Sequence, residues 1–167
     1  YKGQTSSVDF EIVPDPRLQT APQDWAGQQQ TIERVEAHIR DMHECVNALR
    51  KVKKQVDHLN ESFKTAAGDG EKAMLANGEQ LLKKITDWEA NIVETRQRNF
   101  QDVINWPSKL NAEFFDLRGK LDVHDPRVTQ GVRDRLRDLE AEWTRHKATW
   151  KKLIEEDVAG YNRLFRE

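Results

Sequence analysis

Residues 32–63 decide the fold class, and they read IERVEAHIRDMHECVNALRKVKKQVDHLNESF. Apolar side chains recur there at intervals of three or four residues, which is the spacing of one face of an α-helix. Those positions are Ile32, Val35, Ile39, Met42, Val46, Leu49, Val52, Val56, Leu59 and Phe63. The pattern predicts one helix of about 43 residues, or ~65 Å, whose apolar stripe packs against other helices.

The predicted helix has a start signal and a stop signal. Thr20-Ala21-Pro22-Gln23 resembles a capping box, in which the Thr20 oxygen accepts from a free backbone N–H and Gln23 reaches back. Gly68-Asp69-Gly70 is a strong breaker of the helix.

Three further helices follow. The second is predicted from about Glu71 to the mid-90s or as far as Val103, and Asn105-Trp106-Pro107 separates it from a short third helix. The fourth is predicted to begin at Asp125-Pro126 and to run to the end of the chain. Their apolar positions are Leu81, Ile85, Trp88 and Ile92; then Leu110, Phe114, Leu117 and Leu121; then Val128, Val132, Leu136, Leu139, Trp143, Trp150, Leu153, Tyr161 and Leu164. Short links favour antiparallel neighbours, so we expect an all-α, elongated antiparallel bundle of three to four helices, two of them long.

Residues 1–18 differ from the remainder, residues 19–167, which form the predicted bundle. Val8, Phe10 and Ile12 alternate with acidic residues, as in a half-buried strand, and Pro14 and Pro16 end the pattern. A lone strand is not stable in water. We therefore expect this segment either to lie on the bundle or, as the favoured interpretation, to be a terminal strand and linker from a preceding β domain.

Composition excludes several classes of function. The 167 residues carry 27 Lys and Arg against 29 Asp and Glu, and this net charge of −2 gives no reason to expect nucleic acid as a partner. No apolar stretch is long enough to span a membrane. The single cysteine, Cys45, allows no internal disulfide. The chain shows no signal peptide and no initiator Met, so we expect it to be part of a longer protein.

Candidate chemical sites all have a simpler interpretation as packing or solvated surface. His38, Met42 and Cys45 share one strip of the first helix and have soft-metal ligand types, but no second cluster completes a set. Asp157 is an acidic residue on an apolar seam, where a polar side chain more often fixes register. No nucleophile motif or glycine-rich phosphate loop occurs. The sequence thus predicts neither an enzyme nor a cofactor.

Basic and aromatic clusters are interpreted in the same way. The run Arg50-Lys51-Val52-Lys53-Lys54 is expected to be a solvated stretch near acidic residues of other helices. Trp88, Trp143 and Trp150 occupy seam positions and are expected in the core. Trp25 and Trp106 lie near helix starts, where each is expected either to cap the bundle or to meet a neighbouring domain.

Two segments together resemble one protein family. The stretch INWPSKLNAEFFDLRGKLDVHDPRVTQGVRDRLRDLEAEW, residues 104–143, and the stretch FEIVPDPRL, residues 10–18, resemble bacterial sortilin-like proteins, which are also called BNR-repeat or glycosyl-hydrolase-like proteins. The resemblance implies a C-terminal helical region that follows a β-propeller and a small β domain in an exported protein, periplasmic or extracellular. It transfers no catalytic residue to this chain.

The expected function is a non-catalytic, C-terminal helical module for interaction or structure within a larger secreted protein. Its expected partners are the preceding β domain or propeller of the same chain, and a protein partner or a second copy. Trp106, Phe114 and Tyr161 are the predicted interaction surface. The alternative is an accessory carbohydrate- or ligand-binding domain of a secreted glycosyl-hydrolase-like protein, which requires solvent-exposed tryptophans.

Overall fold

The computed structural model describes residue 3, residues 5–65 and residues 68–164. The helices are α1 (Pro22–Phe63), α2 (Asp69–Ile92), a 3-10 turn (Phe100–Ile104), α3 (Leu110–Leu121), α4 (Gln130–Lys152), a π-helical turn (Leu153–Val158) and α5 (Ala159–Leu164). No β-strand occurs within these described ranges. The predicted all-α bundle is therefore confirmed.

Helix α2 returns along the C-terminal half of α1. Arg50 of α1 forms an ion pair with Glu89 of α2 at 2.5 Å, and ten residues later along α1, Asn60 packs against Gly78. Residue numbers rise along one helix as they fall along the other. The two helices are therefore antiparallel.

Helix α3 continues in the direction of α2, along the N-terminal half of α1. The Gln28 side-chain amide of α1 donates to the carbonyl oxygens of Leu121 at 2.6 Å and Val123 at 2.9 Å, and so caps the end of α3. Nearer the middle of α1, the His38 ring lies 5.5 Å from the Phe114 ring. Helices α2 and α3 thus lie end to end and together form the second of three parallel or antiparallel rods, interrupted by residues 93–109. Helix α1 alone is the first rod.

This arrangement differs from the side-by-side packing expected for every pair of successive helices. That expectation assumed short links, and a short link forces the next helix to reverse direction. Residues 93–109 are long enough to leave the bundle and re-enter it with the direction unchanged. We call this segment the link.

The third rod consists of α4, the π-helical turn and α5, and it runs parallel to α1. Arg34 of α1 binds Glu140 of α4 at 2.5 Å, and further along both helices the Trp150 indole N–H donates to the Cys45 carbonyl at 3.2 Å. Leu153 and Tyr161 are both buried although their separation exceeds a heptad by one residue. The wider π-helical turn between them absorbs that residue and returns Tyr161 to the apolar stripe.

The core is a continuous cluster along the three rods. Most predicted seam positions are buried, and Leu164 is 46% exposed. The half-buried seam positions are Ile32, Val52, Leu59, Phe63, Val128, Val132 and Trp150. The buried seam residues are Val35, Ile39, Met42, Val46, Leu49, Val56, Leu81, Ile85, Trp88, Ile92, Leu110, Phe114, Leu117, Leu121, Leu136, Leu139, Trp143, Leu153 and Tyr161. The helical periodicity therefore predicted the core correctly.

The predicted capping box at the start of α1 is wrong. Ala21 is the N-cap, and its backbone N–H donates to the Asp24 carboxylate at 3.0 Å instead of to Gln23. The Thr20 hydroxyl accepts from the Trp25 indole N–H at 3.1 Å and does not cap the helix. The box is shifted by one residue because Asp24 is the acidic side chain within reach.

The other two predicted helix limits have different outcomes. Helix α2 ends at Ile92, close to the end predicted in the mid-90s, and the extension as far as Val103 does not form, because Val93 adopts extended backbone angles, φ −131° and ψ 136°. The predicted start of the fourth helix is wrong. The fourth helix begins at Gln130, where the Thr129 hydroxyl accepts from a backbone N–H, and not at Asp125-Pro126. The Asp125 carboxylate is held by Arg127 and so does not cap the helix.

The N-terminal segment lies outside the bundle. Residues 5–15 form neither helix nor strand, and Val8, Phe10 and Ile12 are 84%, 83% and 86% exposed. Residues 1, 2 and 4 of the predicted strand and linker lie outside the described residues, as do residues 165–167 of the predicted fourth helix. Within the described residues, no sheet is present with which this segment could pair.

The contact between Asn60 and Gly78 gives a stability prediction. A Cβ on residue 78 would lie 2.2 Å from the Asn60 Oδ1 atom, so Gly78→Ala should destabilise the chain by about 1–3 kcal/mol. In an Asn60→Ala background the obstruction is gone, and the same substitution should instead stabilise by up to about 1 kcal/mol through helix propensity. Urea unfolding followed by circular dichroism measures both differences.

The matched control is Gly119→Ala in α3, where nothing lies within 4 Å of the new Cβ. It should stabilise in either background. Equal effects of Gly78→Ala with and without Asn60 would show that these two residues do not meet.

Candidate interaction surfaces

Tryptophan side chains join the three rods from the inside. The Trp88 indole N–H donates to the His146 carbonyl at 2.9 Å, and the Trp143 indole N–H donates to the Asp41 carboxylate at 3.0 Å. Both rings are buried, and Trp150 is half-buried with its indole on the Cys45 carbonyl. The core positions predicted for Trp88 and Trp143 are confirmed, and the three indole N–H groups are used between helices.

The His38, Met42 and Cys45 strip also belongs to the packing between rods. His38 Nε2 lies 2.9 Å from Glu140 Oε1, Met42 is fully buried, and Cys45 is 4% exposed. Burial raises the pKa of the Cys45 thiol to about 11, so the thiolate that a metal requires is scarce at neutral pH. Across the described ranges, no three His, Cys, Asp or Glu side chains come together as a metal site.

Acidic and basic side chains pair across the rods. Asp157, the acidic residue predicted to fix register, binds Lys84 of α2 at 2.5 Å. Within the basic run, Arg50 binds Glu89 and the Lys53 ammonium donates to the Thr86 hydroxyl at 3.0 Å. The run therefore helps to hold α1 against α2. The acidic neighbour that was predicted on another helix is Glu89.

The link is ordered by its own polar contacts. The Arg96 guanidinium lies 3.7 Å from the centre of the Trp106 ring and also binds the Glu94 carboxylate at 2.6 Å. The Asp102 carboxylate accepts from the backbone N–H of Arg98 at 2.6 Å and of Asn99 at 3.1 Å. These contacts fix the backbone of a segment that leaves the bundle.

Two apolar side chains of the link face solvent. Val103 is 54% exposed and Ile104 is 84% exposed. They were missed from the sequence because an end of helix two as far along as Val103 was left open. The available signal was their position directly before Asn105-Trp106-Pro107, since apolar residues beside a breaker are not part of a helical seam.

The structure separates the three residues predicted as an interaction surface. Trp106 is half-buried beneath Arg96 in the link, Phe114 is fully buried in α3, and Tyr161 is 5% exposed in α5. Phe114 therefore has no free surface, and Tyr161 has almost none. The most exposed large apolar side chains of the described residues belong instead to the N-terminal segment and to the link, while Phe115, Val123 and Leu164 are about half exposed.

Comparison with known proteins leaves the family resemblance as an expectation. No protein-family model matches the chain, and neither the curated proteins nor the solved structures gave a significant match. In the described part of the chain, every helix lacks the combination of length and apolar character that crossing a membrane requires.

The ion pair in the link gives a pH prediction. Arg96 holds the pKa of the Glu94 carboxyl at about 2, below its ordinary 4.5. The pair therefore contributes fully above about pH 4.5 and is lost as the pH falls through about 2. A carboxyl-carbon NMR titration should show the Glu94 midpoint near 2, and Arg96→Gln should raise that midpoint toward 4.5.

The control for this titration is Arg98→Gln, because the Arg98 side chain makes no bond to Glu94. It should leave the Glu94 midpoint near 2. An ordinary glutamate midpoint in the unaltered chain would contradict the assigned contact.

Proposed function

We propose that this chain is a non-catalytic helical module for interaction or structure, at the C-terminal side of a larger exported protein. A preceding β domain or propeller of the same polypeptide would be its first partner, joined through residues 5–18. A further protein or a second copy would contact the exposed apolar side chains of the link. The sortilin-like resemblance supports the position after a β domain and the export.

The observation that carries the proposal is the exposed N-terminal segment. Val8, Phe10 and Ile12 are more than four-fifths exposed, and they alternate with Asp9 and Glu11. No hydrogen bond joins residues 5–13 to another described residue. An alternating segment with a free backbone has the features that strand addition to a sheet edge requires.

A short turn connects this segment to the rod. The Asp15 carboxylate binds Arg17 at 2.6 Å, and the Leu18 N–H donates to the Asp15 carbonyl at 3.0 Å. Pro14 and Pro16 restrict the backbone on either side of Asp15. The turn therefore separates the extended segment from α1 at a defined point, which suits a boundary between two domains.

The rod provides length without a reaction centre. Helix α1 alone has 42 residues, or ~63 Å, and every titratable cluster described above is an ion pair between rods or within a loop. The link leaves the rod near its middle, so a β domain at one end and a partner at the link would be held apart. This geometry suits a spacer with two contact points.

The alternative, an accessory carbohydrate-binding domain, has one favourable observation. Trp106 is partly exposed and has polar neighbours in the link. Trp88, Trp143 and Trp150 donate their indole N–H groups between helices, and the indole N–H of the half-buried Trp25 donates to Thr20. A sugar platform would therefore rest chiefly on Trp106. We therefore favour the spacer.

Hydrogen exchange tests the proposed domain junction. In the chain alone, the backbone amides of residues 6–13 should exchange within seconds, because none is hydrogen-bonded to a described residue. In a longer polypeptide that includes the domain preceding residue 1, the same amides should be strongly protected. Mass spectrometry of peptic fragments measures the difference.

Paired variants of the longer polypeptide identify the cause of protection. Phe10→Asp with Ile12→Asp should abolish it, whereas Asp9→Asn with Glu11→Gln, on the alternate face, should leave it intact. Equally fast exchange of residues 6–13 in the short and long polypeptides would refute the junction.

A further inference from the structure

Asn77-Gly78 in α2 is the one Asn-Gly pair of the sequence, and every other asparagine precedes a residue that carries a side chain. Glycine has no Cβ, so its backbone nitrogen is open to approach and its backbone adopts many conformations. An asparagine side chain therefore reacts with the next backbone nitrogen most readily where that next residue is glycine. Asn77 is exposed, so water and base reach it.

The closed helix keeps the two reacting groups apart. The Asn77 side-chain amide donates to the Ala73 carbonyl at 2.8 Å, one turn back along α2 and away from Gly78. Both residues of the pair lie inside the helix, where the Gly78 N–H belongs to the i→i−4 hydrogen-bond ladder. Gly78 is also buried against the Asn60 side chain of α1. A reaction between Asn77 and Gly78 therefore requires that this part of α2 opens.

The first turns of α2 are weakly packed. Within the described range 69–77 no residue is buried, and burial along the helix begins at Gly78 and Leu81. The N-cap residue, Gly68, has no side chain to accept from the free N–H groups of the first turn. The Asn60 Oδ1 atom that meets Gly78 is buried without a hydrogen-bond partner among the described residues, which weakens the closed contact. Segments with few buried contacts open locally while the rest of a chain stays folded.

We propose that Asn77 is a self-modifying site that reacts when the start of α2 opens, and that the isoaspartate it forms keeps this segment from closing again. The Gly78 backbone nitrogen loses its proton and attacks Asn77 Cγ, which forms the new N–Cγ bond of a cyclic succinimide. The Cγ–Nδ2 bond breaks, and the side-chain nitrogen leaves with that proton as ammonia. Water then adds to one of the two ring carbonyls and opens the ring, which gives aspartate or isoaspartate at position 77. Water is the only co-reactant.

The two products differ in their effect on the fold. Aspartate leaves the backbone unchanged and only adds a charge at an exposed position. Isoaspartate routes the main chain through the former side-chain carbon, so the backbone gains an atom within residue 77. The hydrogen-bond ladder of α2 then loses its spacing, and Gly78 no longer fits against Asn60. Isoaspartate therefore prevents the start of α2 from packing on α1.

The test is incubation of the whole 167-residue chain at mildly alkaline pH, followed by mass spectrometry of its peptides. The peptide that contains Asn77 should gain the mass of an amide-to-acid conversion. In urea it should convert at least about tenfold faster than in native buffer, because the modification follows the population of the open helix. No measurable conversion in native buffer, equal rates in the two conditions, or faster conversion of another asparagine in urea would overturn the proposal.

A matched pair of variants shows whether local opening is the route. Ala73→Gly, at an exposed position in the first turns of α2, lowers helix propensity there and should speed conversion in native buffer by up to about fivefold. Ala148→Gly, at an exposed position in α4, carries the same change in propensity and should leave the rate unchanged. Equal acceleration by both variants would mean that conversion requires unfolding of the whole chain, and would overturn the proposal.

Asn77→Asp tests the effect on α2, because it has the charge of the products without the extra backbone atom. The backbone amides of residues 72–80 should exchange with solvent as slowly in this variant as in the unaltered chain. They should exchange faster in the isoaspartate form, which chromatography separates from the incubated chain. Equally slow exchange in the isoaspartate form would overturn the proposed effect on α2.

Discussion

Burial of the apolar stripe of α1 sets where the other helices are placed. The stripe runs from Val35 to Val56 on one helix, and no other helix covers its whole length alone. Helix α2 covers one half and α3 the other, while α4 packs alongside in the same direction as α1. Burial of this stripe is the main driving force for assembly, because apolar area removed from water contributes roughly 25 cal/mol per Å².

Burial of apolar surface is not directional, so it does not fix how far one helix is shifted along another. Polar contacts between the helices fix that register. Gln28 donates both amide protons to the end of α3, and Trp143 and Lys147 converge on Asp41. A shift of one helix along another would leave the buried Gln28 amide and Trp143 indole N–H without partners, and that cost is larger than the net gain of a typical hydrogen bond. The three rods therefore have one register although their apolar stripes would accept several.

The sequence predicted the parts of the fold that depend on periodicity. The seam residues of α1, α2 and α3, and the place of Trp88 and Trp143 in the core, followed from intervals of three and four residues. Helix ends did not follow, because local side-chain contacts decide them. Asp125 resembles an N-cap but binds Arg127, and Asp24 rather than Gln23 caps α1.

Features that depend on contacts between residues distant in sequence were also not predicted from the sequence. Helices α2 and α3 run in the same direction because of where each packs on α1. No sequence pattern within residues 93–109 predicts this. The same holds for the candidate surfaces. Phe114 and Tyr161 have the apolar character of a docking residue but are buried, whereas Ile104 is exposed because the link leaves the bundle. The unpartnered Tyr161 hydroxyl likewise follows from packing and not from any motif.

The end-to-end placement of α2 and α3 along α1 can be checked by one distance. Spin labels at Lys83→Cys in α2 and Asp116→Cys in α3, with Cys45→Ala, allow the separation to be measured by pulsed electron resonance. Along α1 these sites lie opposite positions about 20 residues apart, so end-to-end helices predict a separation of about 30 Å. A separation below about 20 Å would mean that α2 and α3 pack side by side and do not form one interrupted rod.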